Sequence, residues 1–190
     1  MNTITIIILF TMLFSEEKYK EPNYTLINEI DNIEIRQYDE YIVARTSISL
    51  ENNKSDNNMF RTLASYIFGG NDNNEKIPMT APVTSFIDKN EQNMIFYILG
   101  EKNIEDLPTP DNRNVKLEKF NLNKCAVINF SWLANKERIN KYKKDLEDFI
   151  KKNNYEAVSP FMLNRYDPPW TLPFLRRNEI IVKIKWYDKK

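Results

Sequence analysis

Apolar and polar residues alternate along "IEIRQY" (33–38) and "YIVARTSI" (41–48), with the acidic pair Asp39 and Glu40 between them, so the pattern predicts two antiparallel strands. The period then lengthens. In "MFRTLASYIFGG" residues Met59, Phe60, Leu63, Ala64, Ile67 and Phe68 recur at helical spacing, and Gly69 with Gly70 supplies a left-handed stop. Short apolar runs follow at "EKIPMTAPVTSFI" (75–87) and "NMIFYILG" (93–100), which predict two more strands. The same order then recurs. Strands are expected at "VKLEKF" (115–120) and "KCAVINFSW" (124–132), and a helix over 136–152 with Ile139, Tyr142, Leu146, Phe149 and Ile150 on one stripe. "PFMLNRY" (160–166) and "NEIIVKIKWY" (178–187) close the chain as strands.

Each half, about 30–100 and 113–187, therefore reads strand, strand, helix, strand, strand, with a proline at the post-helix strand (Pro78 and Pro160). The expectation is one α+β domain over 24–187. It is a pseudo-twofold repeat forming a distorted antiparallel β-barrel or two-sheet domain, two helices outside and a groove between the halves. Pro78 and Pro82 each remove a ladder donor from the 75–87 stretch. That strand is thus expected at a sheet edge or a bulge, turning Met79 and Val83 toward the groove mouth.

Composition removes many alternatives. Lys and Arg total 27 against 27 Asp and Glu, so no overall positive field draws in nucleic acid. The histidine count of zero excludes Ser-His-Asp and Cys-His catalysis, His-ligated zinc and a His-ligated haem. A single cysteine, Cys125, makes neither an intramolecular disulfide nor a thiolate metal cluster, and its apolar neighbours in "KCAVINF" read as a buried structural thiol. Three glycines, none in a phosphate-cradling loop, argue against nucleotide folds. With no nucleophile–base pair either, the chain is not expected to be an enzyme. The mixed charges of 136–152 suit a solvated helix face. Asn is abundant, so the glycosylation-type triplets at Asn23, Asn53 and Asn129 carry little weight.

The apolar run Thr3 to Phe14 is short for a membrane span and is followed by the charged "SEEKYKEP". It reads as the core of an export signal over residues 1–15, with an uncleaved N-terminal anchor or a plain first strand as alternatives. An exported protein, periplasmic or secreted, is expected, with membrane association through this segment as the alternative in which it stays uncleaved.

"IEIRQYDEYIVA", "FRTLASYIFGGN" running into "EKIPMTAPV", and "NRYDPPWTLPFLRRNEI" together resemble the SOUL family of haem-binding proteins, over about 24–185. The resemblance implies a distorted barrel or two-sheet α+β fold with two helices, and a topology similar to bacterial small-molecule effector-binding domains. It also implies binding of haem or another planar tetrapyrrole for buffering or transfer. Some members use a histidine on the iron, and this chain has none. Met79, Met162, Cys125 and tyrosines remain as ligand chemistries. An axial bond is not essential: burying about 400 Å² of apolar porphyrin gains on the order of 10 kcal/mol, against several lost to immobilisation and desolvation.

The site this implies is an apolar slot with a cationic rim for the propionates. Phe68, Ile77, Met79, Ala81 and Val83 form the expected slot with Met162 and Trp170, the last on a rigid Pro168-Pro169-Trp170 lid. Arg61, Lys76, Arg176 and Arg177 form the expected rim. The competing reading is an effector-type domain for another small hydrophobic ligand, with a buried carboxylate, nearest Glu34, awaiting a cation.

Overall fold

The alternating runs become strands of one antiparallel sheet, as a computed structural model describing residues 19–52, 56–100 and 103–186 shows. In chain order these are β1 (Tyr24–Ile30), β2 (Ile33–Tyr38), β3 (Glu40–Ser49), helix α1 (Asp56–Ile67), β4 (Val83–Asp88) and β5 (Glu91–Ile98). Then follow β6 (Lys116–Asn121), β7 (Lys124–Phe130), helix α2 (Lys136–Lys152), β8 (Tyr155–Ala157), β9 (Met162–Arg165) and β10 (Asn178–Trp186). The strand order is β1-β2-β7-β10-β9-β4-β5-β3-β6, with β8 paired to β10. Several tight connections use positive-φ Asp, Asn or Lys: Asp31 after β1, Lys89 and Asn90 between β4 and β5, Asn123 between β6 and β7. Asn and Asp tolerate that region better than other side chains, so part of the chain's Asn content sits in hairpins.

Period-2 alternation sorts the side chains onto two faces. Ile35, Ile128, Ile180 and Val182 pack with Leu146 and Ile150 of α2. Ala44, Met94 and Phe96 pack with Met59, Leu63 and Tyr66 of α1. Register ties these clusters to one face, because Val83 on β4 stands opposite both Phe96 on β5 and Arg165 on β9. Both helices therefore lie on the same side. The other face supplies Tyr38, Val43, Phe86, Tyr97, Cys125, Val127, Met162 and Ile181 to a third cluster. Strands β2 and β3 are second and eighth in the sheet, yet Tyr38 and Val43 belong to this single cluster. Strands spaced about 4.8 Å apart in a flat sheet cannot do that. The sheet is curled into a half-barrel, helices outside and the third cluster filling its concave side. A curled single sheet thus replaces the two-sheet alternative.

Local signals set the helix ends. The Asn135 side chain accepts from the backbone N–H of Arg138 at 2.9 Å and caps α2; Asn135→Ala should lower stability by about 1 kcal/mol in urea unfolding. Beyond α1, Gly69 has φ +107°, and a Cβ on Gly70 would lie 2.7 Å from the Ser65 carbonyl oxygen, so glycine is required there.

The 75–87 stretch departs from expectation. Residues 77–82 form no strand, and β4 begins only at Val83 as a central strand paired with β5 and β9. The Ala81–Pro82 peptide is cis, and Pro82 immediately precedes the first ladder position. The prolines are therefore neither at a sheet edge nor in a bulge: their missing donors fall outside the ladder. Instead this segment is held by Ile77 N–H to the Ile67 carbonyl, Ala81 N–H to the Lys20 carbonyl, both 2.9 Å, and the Thr80 hydroxyl to the Tyr97 carbonyl at 2.6 Å. The N-terminal apolar run, with its export or anchor reading, lies outside the described residues. Among the described residues no helix is long and apolar enough to cross a membrane.

Candidate functional site

Helix α1 packs on β3 and β5, and α2 packs on β7, β8 and β10. Between them lies the outer face of β4 and β9, where Ser85 and Leu163 are buried, Val83 is half-buried and Ile87 is 58% exposed. This central strand pair floors the space between the two helices. On the α1 side, Met79 and Val83 are half-buried against the α1 core, while Ile77 and Ala81 are buried beneath. Phe60 and Ala64 on α1 and Phe68 just past its end follow at four-residue spacing, and the Phe60 ring lies 5.3 Å from that of Phe96. On the α2 side, Leu133, Ala134, Arg165, Asp167 and Arg176 line a cleft of about 260 Å³. The Arg165 guanidinium donates to the Ser85 hydroxyl at 3.0 Å. Val83 and Arg165, directly opposite in register, join the two sides.

Several expected site residues do not converge on this space. Met162 turns inward to the concave cluster with Phe86 and Ile181, so the sheet separates it from Met79; its neighbour Leu163 takes the outer position. Cys125 is also inside, its thiol donating to the Leu122 carbonyl at 3.3 Å. Trp170 is 75% exposed on its loop and covers no slot. Strand alternation divides the arginine pair as β10 begins. Arg176 folds outward onto its own loop, its Nε donating to the Thr171 carbonyl at 2.8 Å and its Nη2 to that of Pro169. Arg177 turns inward, 3.5 Å above the Tyr166 ring and 2.5 Å from the Glu21 carboxylate. They do not form one rim. Arg61 and Lys76 are exposed, on α1 and on the segment leading to β4.

The concave face carries a polar cluster that sequence reading missed. Arg36 on β2 donates to Glu34 at 2.7 Å, to Glu179 on β10 at 3.0 Å and to the Tyr38 hydroxyl at 3.0 Å. Glu179 also accepts from the Tyr166 hydroxyl at 2.6 Å and from Asn164 at 3.3 Å, and Asn129 donates to Glu34 at 2.9 Å. Arg36 and Glu179 are each 2% exposed. Burial works against the Arg36 cation, but the bond to Glu34 and the charge of Glu179 outweigh it and hold the guanidinium more firmly protonated. The bond from Arg36 in turn holds the Glu34 carboxyl below its ordinary range, and burial, with the Glu179 charge adding to it, pushes the Tyr166 phenol well up. Glu34 thus is not awaiting a cation: Arg36 already occupies it. The available signal was charge at inward positions of otherwise apolar strands, at 34, 36 and 179.

The chain before β1 crosses this end of the half-barrel. Tyr24 stacks under Arg36, 4.2 Å from the ring centroid, and the Tyr41 hydroxyl donates to the Asn23 carbonyl at 2.6 Å. Beside it opens a cleft of about 630 Å³ lined by Lys20, Tyr41, Ile98, Leu99 and Lys119 among others. Among the described residues no cluster of acidic or cysteine side chains could hold a metal ion.

A family model described as SOUL heme-binding protein matches residues 19–183. No curated protein matches. Among solved structures the chain is similar to a hydrolase from Listeria innocua, at 11% identity and TM-score 0.57, covering 93% of this chain and 98% of that one. It is also similar to the EcmrR C-terminal domain, at 13% identity and TM-score 0.60, covering 86% and 98% respectively. A conserved protein from Listeria innocua gives 9% identity, TM-score 0.59, and 92% and 96% coverage. At these identities the likeness concerns the fold alone.

Proposed function

The chain belongs to the SOUL heme-binding protein family, and on that premise we propose that it binds haem or another planar tetrapyrrole, without chemistry on it, in the groove between α1 and α2. The observation that carries this is the register pair Val83–Arg165, which sets an apolar wall and a cation against each other across one floor. Phe60, Phe68, Met79 and Val83 offer apolar contact to a macrocycle. Arg165, with Arg61 and Lys76 at the α1 end, offers charge-assisted bonds to propionates. Met79 is the half-buried thioether on this side of the sheet, Met59 and Met94 being fully buried there, and it stands as the axial ligand where haem rather than an iron-free ring is bound. The hydrolase label of two structural neighbours does not alter this reading, because it comes with 11% and 10% identity.

We read the strand order as two exchanged halves, β2-β7-β10-β9 matching β6-β3-β5-β4 about the β4–β9 pair. A groove on such a seam receives one wall from each half. Export, with or without retention at a membrane through the N-terminal run, suits a carrier that buffers or transfers a tetrapyrrole.

The test is titration with haem and with iron-free protoporphyrin. A Soret shift and tryptophan quenching are expected. Phe68→Asp, at a position 61% exposed, should weaken both ligands by about tenfold, near 1.4 kcal/mol, with an unchanged unfolding midpoint. Met79→Ala should alter the haem spectrum but not the porphyrin one, and Met162→Ala should alter neither. Absence of any Soret change or quenching in the wild type would sink the proposal.

A further inference from the structure

The groove does not account for the loop before β10. Trp170, Leu172, Phe174 and Leu175 are each more than half exposed, within six residues of chain. Trp132 and Leu133 on the neighbouring loop are about half exposed, and the Trp132 and Phe174 rings lie 6.4 Å apart. Such a concentration of protruding apolar side chains is not typical of scattered surface residues. Nor is the loop a loose excursion. Arg176 ties the Pro169 and Thr171 carbonyls, Thr171 N–H bonds the Pro168 carbonyl at 3.1 Å, and a 3-10 turn spans Pro173–Leu175. The ties draw the backbone inward and leave the side chains out.

We propose that this tip, Trp170 to Leu175 with Trp132 and Leu133, docks on an anionic lipid bilayer. The proposal goes beyond tetrapyrrole binding and does not rest on it. Three features favour a bilayer over a second copy or a protein partner. The apolar groups protrude from loop tips, a shape suited to entering a fluid interface rather than to matching a fixed counter-surface. Indole and aliphatic groups are mixed as at membrane interfaces, and cations stand at their base: Arg138 lies 5.8 Å from the Trp132 ring centroid and Arg176 is beneath the loop. Of the nearby carboxylates, Asp167 already accepts from the Arg177 N–H at 2.6 Å. Finally, Glu21, close to the start of the described chain, binds Arg177 at the base of this same loop. In sequence the apolar run Thr3 to Phe14 ends seven residues before Glu21, and two weak membrane attachments hold where one alone does not.

The full chain is mixed with vesicles of phosphatidylcholine, with and without about 30% phosphatidylglycerol, carrying brominated acyl chains. The N-terminal run contains no tryptophan, so quenching reports on the folded domain. Anionic vesicles should quench tryptophan emission, less so as salt rises. Partitioning of the Trp170→Ser/Leu172→Ser/Phe174→Ser variant should fall by roughly tenfold, with the unfolding midpoint unchanged. Equal partitioning of variant and wild type would overturn the proposal, since binding would then lie elsewhere. So would absence of quenching, or concentration-dependent self-association that the same variant abolishes without any vesicle binding.

Discussion

Arg36→Ala should lose about 3–5 kcal/mol of unfolding free energy in a urea titration, because it leaves the carboxylate of Glu179, 2% exposed, without its cation. Tyr166 and Asn164 still donate to Glu179, but neutral donors do not balance a buried charge. The paired variant Arg36→Met/Glu179→Leu removes both charges and should recover much of the loss. A loss under about 1 kcal/mol in Arg36→Ala would show that the cluster is not a coupled unit. Acid tests the same network. Glu34, held low by Arg36, contributes stability above the ordinary carboxylate range, and that contribution disappears as pH falls through its depressed folded value. The acid-side decline should be shallower in Glu34→Gln.

Cys125 should be nearly inert in the native protein. Burial pushes its thiol up to about 12 and leaves it 0% exposed. At pH 8 the thiolate fraction is then about a thousandfold below that of a free cysteine, so reaction with a disulfide reagent proceeds through opening of the fold. The native rate should be at least about a thousandfold below the rate in denaturant. Arg36→Ala should raise it, since easier opening exposes the thiol more often. Rapid native labelling would mean that the concave cluster is accessible.

Much of the architecture was legible because amphipathic periods are local. The stripe over 136–152 becomes α2 with the same limits, and the alternation at 33–38 becomes β2. What escaped depended on register or on distance in sequence. "IPMTAPV" alternates like a strand, but residues 77–82 are held by bonds to Ile67, Lys20 and Tyr97 rather than in a ladder. Met162 lies on the face opposite Met79, and a four-residue strand in an apolar run carries no internal sign of which side is core. The Arg36–Glu179 bond links residues 143 apart, so neither strand alone reveals it. β1 is exposed along its length, and without a buried face it leaves no period to read.

The central pairing of β4 with β9 has a mechanical consequence. Only four register pairs join β4 and β9, against eight between β3 and β5. On the inner side of those same pairs the Thr84 hydroxyl donates to Asn164 at 2.7 Å, and Asn164 donates to Glu179. Wedging the helices apart from outside would bend this narrow strip, and the bend would be felt at a hydrogen bond that leads directly to the buried carboxylate. The surface between the helices and the charge cluster, on opposite faces, thus share one narrow strip, held by four ladder pairs and by the Thr84–Asn164 and Arg165–Ser85 bonds.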